Sequence, residues 1–165
     1  MRELDAATNE NRKIVYLDEL NFTKKSIALS EWATRNSNLC VAQNDIYVGY
    51  RSVIASMTEE RGFCFLRVKA EAINGDDFAV YLKGLRRKHP KRRLALFMDN
   101  LTVHKSHLVK DLYKQLEIKP IYNLPYSPEF NPIEAVFSKV KAHFNQKRLH
   151  NLVNKKGFNF DTTIN

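Results

Sequence analysis

Cysteine is scarce: Cys40 and Cys64 are the only two in 165 residues. Two thiols are too few for a disulfide framework, and these stand at no metal-ligand spacing. The expectation is a reduced chain with two ordinary thiols. No apolar run approaches the roughly 18 to 20 residues that cross a bilayer, which leaves the sequence without a membrane-spanning helix. Its first residues, MRELDAATNENRK, are polar and carry acids, unlike a signal or transit peptide. Internal repeats, low-complexity tracts and a composition break between domains are also missing, so one globular domain is expected.

Acid is in short supply relative to base. Lys and Arg total 27 against 18 Asp and Glu, a net charge of +9. That excess favours polyanionic partners, nucleic acid first among them. The densest basic run, Arg86-Arg87-Lys88-His89-Pro90-Lys91-Arg92-Arg93, has two readings. It is a solvated helix end whose cations suit the helix terminus, or a DNA-facing patch, and the two are compatible.

Hydrophobic periodicity gives the order of elements. A polar leader over residues 1–12 precedes a β-rich run from Lys13 to Phe22, KIVYLDELNF. Residues 24–45 resist assignment, with Trp32 their one large anchor. Tyr47 to Met57 and Gly62 to Val68 read as a hairpin around Thr58-Glu59-Glu60-Arg61-Gly62. Asn74-Gly75-Asp76 opens a helix carrying Phe78, Tyr81, Leu82 and Leu85, closed by His89-Pro90. Leu94 to Met98 (LALFM) is continuously apolar, as in a strand buried on both faces. A helix from His104 to Glu117 with Leu108, Leu112 and Leu116 on one stripe follows, then a strand from Lys119 to Leu124. Pro125-Tyr126-Ser127-Pro128 is a stiff loop, and a long helix runs from about Pro132 to Leu149 before a polar tail over 151–165. A hairpin followed by alternating βα units predicts an α/β domain over 13–150, with a mixed sheet flanked by helices.

Three acids interrupt apolar elements: Asp18 in the first strand, Asp99 after the fourth, and Glu134 at the start of the last helix. Ligands of open α/β sheets gather beyond the carboxyl ends of strands, where Asp99 belongs. Three converging carboxylates repel one another without a cation, and a hard divalent ion such as Mg²⁺ seeks oxygen ligands. Each acid also has a plain structural reading. Asp18 is followed by Glu19, and because strand neighbours face opposite ways, one of the two is expected to meet solvent. Asp99-Asn100 reads equally as a turn cap. Asn131-Pro132-Ile133-Glu134 has the form of a helix start, with Asn as cap, Pro at N1 and Glu reaching back as in a capping box.

The string from Leu96 to Lys141 decides between these readings. Asp99-Asn100, His104-Lys105-Ser106, Leu124-Pro125-Tyr126-Ser127-Pro128 and Asn131-Pro132-Ile133-Glu134 stand in one order. Together they closely resemble the DDE endonuclease domain of the mariner transposase superfamily and its bacterial insertion-sequence relatives. Residues 100–133, 34 in all, separate the second acid from the third, a gap that looks like one of the family's subclasses. Upstream, Tyr16-Leu17-Asp18-Glu19 resembles the first catalytic strand, and Trp32 the aromatic that follows it. There are departures. The family's Pro-Pro-Tyr is Leu-Pro-Tyr here, its Trp after the Glu is Phe137, and Asn36 to Cys40 match its Gly-rich stretch poorly.

The resemblance implies an RNase H-like fold in which Asp18, Asp99 and Glu134 are catalytic and bind Mg²⁺ or Mn²⁺, as two ions once DNA is present. It implies DNA nicking at transposon ends, strand transfer by the freed 3′-hydroxyl, and a homodimer. His104, Lys105, Arg86, Arg87, Lys91, Arg92, Lys139 and Lys141 are the candidate DNA contacts; His104 alternatively satisfies the start of its helix. The family's usual N-terminal helix-turn-helix modules find no counterpart in the residues before the first strand. That leaves open a fragment, a truncated copy, or, as the alternative function, a domesticated, catalytically silent DNA-binding or scaffold subunit; a separate sequence-recognition subunit is one partner the resemblance allows. A stand-alone nuclease of the same fold is a third reading, against which the proline loop and the spacing speak. The expected location is intracellular, the nucleus in a eukaryote and otherwise the cytoplasm or nucleoid, with no membrane partner.

Overall fold

The computed structural model describes residues 2–22, 50–125 and 127–153, the last six of them as backbone alone. The expectations for Trp32, for Cys40, for the start of the second strand at 47–49, for Tyr126 and for the tail from 154 lie outside these residues. Among the described residues there are five strands: β1 (Lys13–Phe22), β2 (Arg51–Thr58), β3 (Gly62–Lys69), β4 (Leu94–Met98) and β5 (Ile118–Tyr122). Four helices accompany them: α1 (Arg2–Asn9), α2 (Gly75–Lys88), α3 (His107–Gln115) and α4 (Ile133–Val153). No helix among the described residues is long and apolar enough to cross a membrane.

The strands form one sheet in the order β3-β2-β1-β4-β5. β1, β2 and β3 pair antiparallel, while β1, β4 and β5 pair parallel. This is the mixed sheet that a hairpin followed by βα units predicts. Gly62, at φ +64°, takes the left-handed conformation that lets the β2–β3 turn close.

Strand alternation sends side chains to two faces. Val15, Leu17, Ile54, Leu94, Leu96 and Met98 pack one face against α2 and α3, meeting Phe78, Tyr81, Leu82, Leu85, Val109, Leu112 and Tyr113. On the other face Leu20, Phe22, Val53 and Ala55 meet Ile133, Phe137 and Phe144 of α4. All five residues of β4 are buried. Burying a side chain of the size of Leu96 or Met98 contributes on the order of 2 kcal/mol, so the strand that ends at Asp99 is firmly held.

Helix α2 starts as the sequence predicts. The Asn74 side chain accepts from the Asp77 backbone N–H (2.9 Å), and the Asp77 carboxylate accepts from the Asn74 N–H (3.1 Å). Asp77 also takes Lys69 of β3 at 2.6 Å, tying helix to sheet.

Two features go beyond or against the sequence reading. Within the polar leader Arg2–Asn9 is a helix, and Ala7, fully buried, packs on Ala95, Phe97 and Ile121. Its apolar stripe is Leu4 and Ala7, a single turn too short to stand out as periodicity. The helix expected from His104 is split. Thr102–Lys105 is a 3₁₀ turn, Ser106 is extended (φ −60°, ψ 155°), and α3 starts afresh at His107. The break resets the helical phase, so Val109, Leu112 and Tyr113 face the core and Leu108 is 52% exposed.

Candidate active site

Parallel pairing of β1 with β4 sets the first two acids. Tyr16 stands opposite Phe97, and two residues further along each strand the same alternation brings Asp18 beside Asp99. Glu134 arrives from α4. Ile133 is fully buried against the α4 face of the sheet, and the Asn131 side-chain amide donates to the Leu17 carbonyl at 3.0 Å. Asn131 is therefore not the side-chain cap that the sequence suggests. It clamps the start of α4 to the strand residue before Asp18.

Asp18, Asp99 and Glu134 line one cavity of about 470 Å³ beside the middle of β1 and beyond the carboxyl ends of β4 and β5. Asn100, Asn123 and Asn131 share its wall with the proline loop. Asn123 organises that loop: its backbone N–H donates to the Met98 carbonyl (2.7 Å), and its side chain donates to the Ser127 carbonyl (2.6 Å) and accepts from the Leu124 N–H (2.8 Å). Asn100 bridges the Asn123 carbonyl and the Lys105 ammonium.

The electrostatics record the crowding of acids. Burial first, and then the neighbouring Glu134 and Asp99 carboxylates, push the Asp18 carboxyl up to about 7 against the pull of the Glu19 backbone N–H. Among the described residues, no three His, Cys, Asp or Glu side chains converge closely enough to hold a single ion. The acids share a cavity, with Asp18 feeling both of the others, without meeting at one point. Their oxygen donors and mutual repulsion suit a hard divalent cation.

His104 lies behind this wall. Its ring is fully buried, with Nδ1 3.1 Å from Asp99 Oδ1 and Nε2 3.5 Å from Glu19 Oε1. The latter pair is an ionic approach without hydrogen-bond geometry, since both atoms lack a hydrogen-bond partner. Burial alone pushes the imidazole down, but the Asp99 and Glu19 carboxylates outweigh it and hold it up at about 9. A fully buried ring touches no DNA phosphate, so this residue leaves the group of candidate DNA contacts. Glu19, for its part, does not simply meet solvent. It turns to the α2–α3 side of the sheet, and its side chain is 13% exposed.

The remaining basic candidates fall into separate places. Lys105 borders the site, its ammonium 4.7 Å from the centre of the Tyr122 ring. Lys139 and Lys141 are exposed on α4. Arg87, Lys91 and Arg92 are exposed near the start of β4, at the opposite end of that strand from Asp99. Arg86 donates to the Arg92 and Pro90 carbonyls at 2.7 and 2.9 Å, closing the turn after α2. The cluster at 86–93 and the acids thus occupy different ends of the sheet. Sequence reasoning missed Glu19, Asn123 and the clamping role of Asn131, whose partners are backbone atoms or residues distant in the chain. The one available signal was Glu19 beside Asp18 in an apolar strand.

Comparison with known proteins places this geometry. The family model for the DDE superfamily endonuclease matches residues 13–154. No curated protein sequence matches the chain. Among solved structures, the Mos1 transposase paired-end complex with left transposon end is similar at a TM-score of 0.61 and 20% identity, over 86% of this chain and 45% of that one. The intasome of simian T-cell lymphotropic virus, in complex with PP2A regulatory subunit B56 gamma, gives a TM-score of 0.63 and 14% identity over 93% of this chain and 45% of that one. The Mos1 catalytic domain with Raltegravir and Mn gives 0.58 and 16%, over 96% and 70%. The chain thus spans less than half of the first two proteins it matches. At these identities the likeness establishes the fold: an RNase H-like sheet of the transposase and integrase catalytic type.

Proposed function

Because the chain belongs to the DDE superfamily of endonucleases, we propose that it cuts and joins DNA strands as the catalytic domain of a mariner-like or insertion-sequence transposase. The observation that carries this reading is the cavity where Asp18, Asp99 and Glu134, far apart in sequence, stand together. Such a concentration of carboxylates is costly in the metal-free state and useful only to a cation. Mg²⁺ or Mn²⁺ is the ion this donor set suits, and the similar Mos1 catalytic domain has been solved with Mn. Asp18, Asp99 and Glu134 are the residues that would hold the ion, or two ions once DNA is bound. A divalent cation held there supplies Lewis-acid polarisation of the scissile phosphate and lowers the pKa of the attacking hydroxyl.

The chain's own residues do the rest. Asn131 and Asn123 hold Glu134 and the proline loop at fixed positions around the phosphate. Lys105 and the exposed bases of α4 neutralise the DNA backbone, and binding weakens as salt rises. The proposed chemistry is in-line displacement at phosphorus: water attacks the phosphorus and breaks its bond to the 3′-oxygen, and the freed 3′-hydroxyl then attacks a target phosphodiester, forming the new P–O bond as the target strand's 3′-oxygen leaves as a hydroxyl. Sequence choice at transposon ends is assigned to modules or a subunit outside the described domain. The active assembly is proposed to be a homodimer, located where it meets DNA inside the cell.

The test is nicking of supercoiled plasmid in Mn²⁺ or Mg²⁺ by wild type, Asp99→Asn and Glu134→Gln. Wild type is expected to nick and both variants to lose activity by at least a hundredfold. Equal nicking by all three defeats the assignment. Retained DNA binding with no cleavage by wild type would favour the silent scaffold, a reading the intact acids oppose.

A further inference from the structure

We propose that Glu19 and His104 form a positioning pair that sets the Asp99 carboxylate for cation binding. The inference rests on the catalytic reading above and extends it to two residues that touch neither cation nor DNA.

The geometry is specific. His104 Nδ1 stands in ionic contact with Asp99 Oδ1 at 3.1 Å and in hydrogen-bond contact with the Asp99 backbone carbonyl at 3.4 Å, and the Leu101 backbone N–H reaches the same Oδ1 at 3.5 Å. The two side-chain contacts converge on Oδ1 and leave Oδ2 as the oxygen available to a ligand in the cavity. Asp99 needs such a hold. It follows the last residue of β4, where the ladder has ended, and its side chain is 40% exposed. The ring that holds it is itself fixed from three directions. Phe78 packs on it with centroids 4.5 Å apart, the Tyr122 hydroxyl donates to the His104 carbonyl at 3.2 Å, and Glu19 Oε1 stands 3.5 Å from Nε2.

The origin of Glu19 gives the pair its meaning. Asp18 and Glu19 are consecutive on β1 and face opposite sides of the sheet. Asp18 enters the cavity directly, while Glu19 acts from behind through the buried ring. One strand thereby places its own acid and orients the acid of its parallel neighbour. A hydrophobic cluster has no need of a buried carboxylate and imidazole at this point, and both Glu19 Oε1 and His104 Nε2 are otherwise without hydrogen-bond partners. Groups that orient a ligating side chain in this way commonly change metal affinity by about 10- to 100-fold when altered.

The experiment measures Mn²⁺ binding to the full chain by loss of the free-ion electron paramagnetic resonance signal, with and without a DNA duplex. It compares wild type, Glu19→Gln, His104→Gln, His104→Asn and Asp99→Asn. Circular dichroism confirms that each variant is folded. Glu19→Gln keeps the side-chain shape and is expected to weaken Mn²⁺ binding at least tenfold while remaining folded. His104→Asn retains a donor near the Nδ1 position and is expected to recover much of the affinity that His104→Gln loses. A purely structural role would lower the melting temperature in all three without this ordering of affinities, and that result overturns the proposal. Wild-type affinity in Glu19→Gln and His104→Gln overturns it as well. The Asp99→Asn control separates the two levels of the argument. If that variant binds Mn²⁺ like wild type, the metal site itself fails, and the positioning pair fails with it. If it loses binding while the pair variants do not, only the pair fails.

Discussion

Substituting Asp18 by Asn should stabilise the metal-free protein while abolishing its response to metal. Burial and two neighbouring carboxylates raise this carboxyl from 3.8 to about 7. A carboxyl whose folded value is raised contributes stability that is complete below the unfolded value, near 4, and lost as pH rises through about 7. A shift of about three units at ~1.36 kcal/mol each corresponds to ~4 kcal/mol. The cavity is open to water and counter-ions, so about half of that, ~2 kcal/mol, is the expected gain of Asp18→Asn at pH 8. The Asn oxygen can still accept from the Glu19 N–H, as Asp18 does at 2.7 Å, and its amide can donate to Glu134. For a chain of this length ~2 kcal/mol moves the melting temperature by roughly 4 to 8 °C. The assay is thermal unfolding in EDTA at pH 5 and pH 8, followed by a Mn²⁺ titration. The variant should gain on wild type between the two pH values, because only wild type loses the Asp18 contribution over that interval. Added Mn²⁺ should stabilise wild type by about 2.7 kcal/mol at a hundred times its dissociation constant, raising its melting point, and leave the variant unmoved. A variant less stable than wild type at pH 8 in EDTA, or one stabilised equally by Mn²⁺, would refute the reasoning.

Asn131→Ala removes the amide that holds the Leu17 carbonyl and should cost about 1 to 3 kcal/mol. Thermal melts read the loss, and Mn²⁺ affinity should fall with it because Glu134 rides on the same clamp. Gly84→Ala places a Cβ 2.7 Å from Phe65 Cζ. Despite a helix-propensity gain of about 1 kcal/mol, overpacking should leave it less stable by about 1 to 2 kcal/mol, with recovery in a Gly84→Ala, Phe65→Leu double variant. A single variant as stable as wild type would show that the ring swings aside freely. Replacing both Arg87 and Arg92 by Ala should reduce the slope of log affinity against log salt by up to about 2 for duplex DNA. An unchanged slope would assign that end of the sheet to solvent.

The fold was legible where apolar periodicity was long, and illegible where a single contact overrode it. LALFM announced a central strand because five consecutive apolar residues leave no solvent face. Helix α1 could not be read, because only Leu4 and Ala7 make its apolar contact with the sheet. The phase of α3 was lost at Ser106, where one extended residue rotates everything after it, and no window average detects that. Within the site, the family string led to Asp18, Asp99 and Glu134, which line one cavity, although Asn131-Pro132-Ile133-Glu134 taken by itself suggested a capping box. Asn131 spends its side-chain donor on Leu17, 114 positions away, and a contact of that range leaves no trace in local spacing. Glu19 and His104 were visible as residues but not as partners, because their meeting depends on the β1–β4 register.

That register explains why neutral amides surround the acids. The groups that secure the backbone at this end of the sheet are Asn100, Asn123 and Asn131, each donating to a main-chain carbonyl or the loop. An Arg or Lys could make stronger bonds at the same positions. It would also pair with Asp18 or Glu134 and occupy the oxygens that a cation requires. An Asn supplies a donor without a charge, so it can fix strand ends and the proline loop while leaving the carboxylates uncompensated. The basic contact nearest to them, His104, reaches Asp99 from behind and engages one oxygen of that group. The resulting site is rigid in its backbone and unfavourable in its charges, which is the combination that makes cation binding strongly coupled to the stability of the domain.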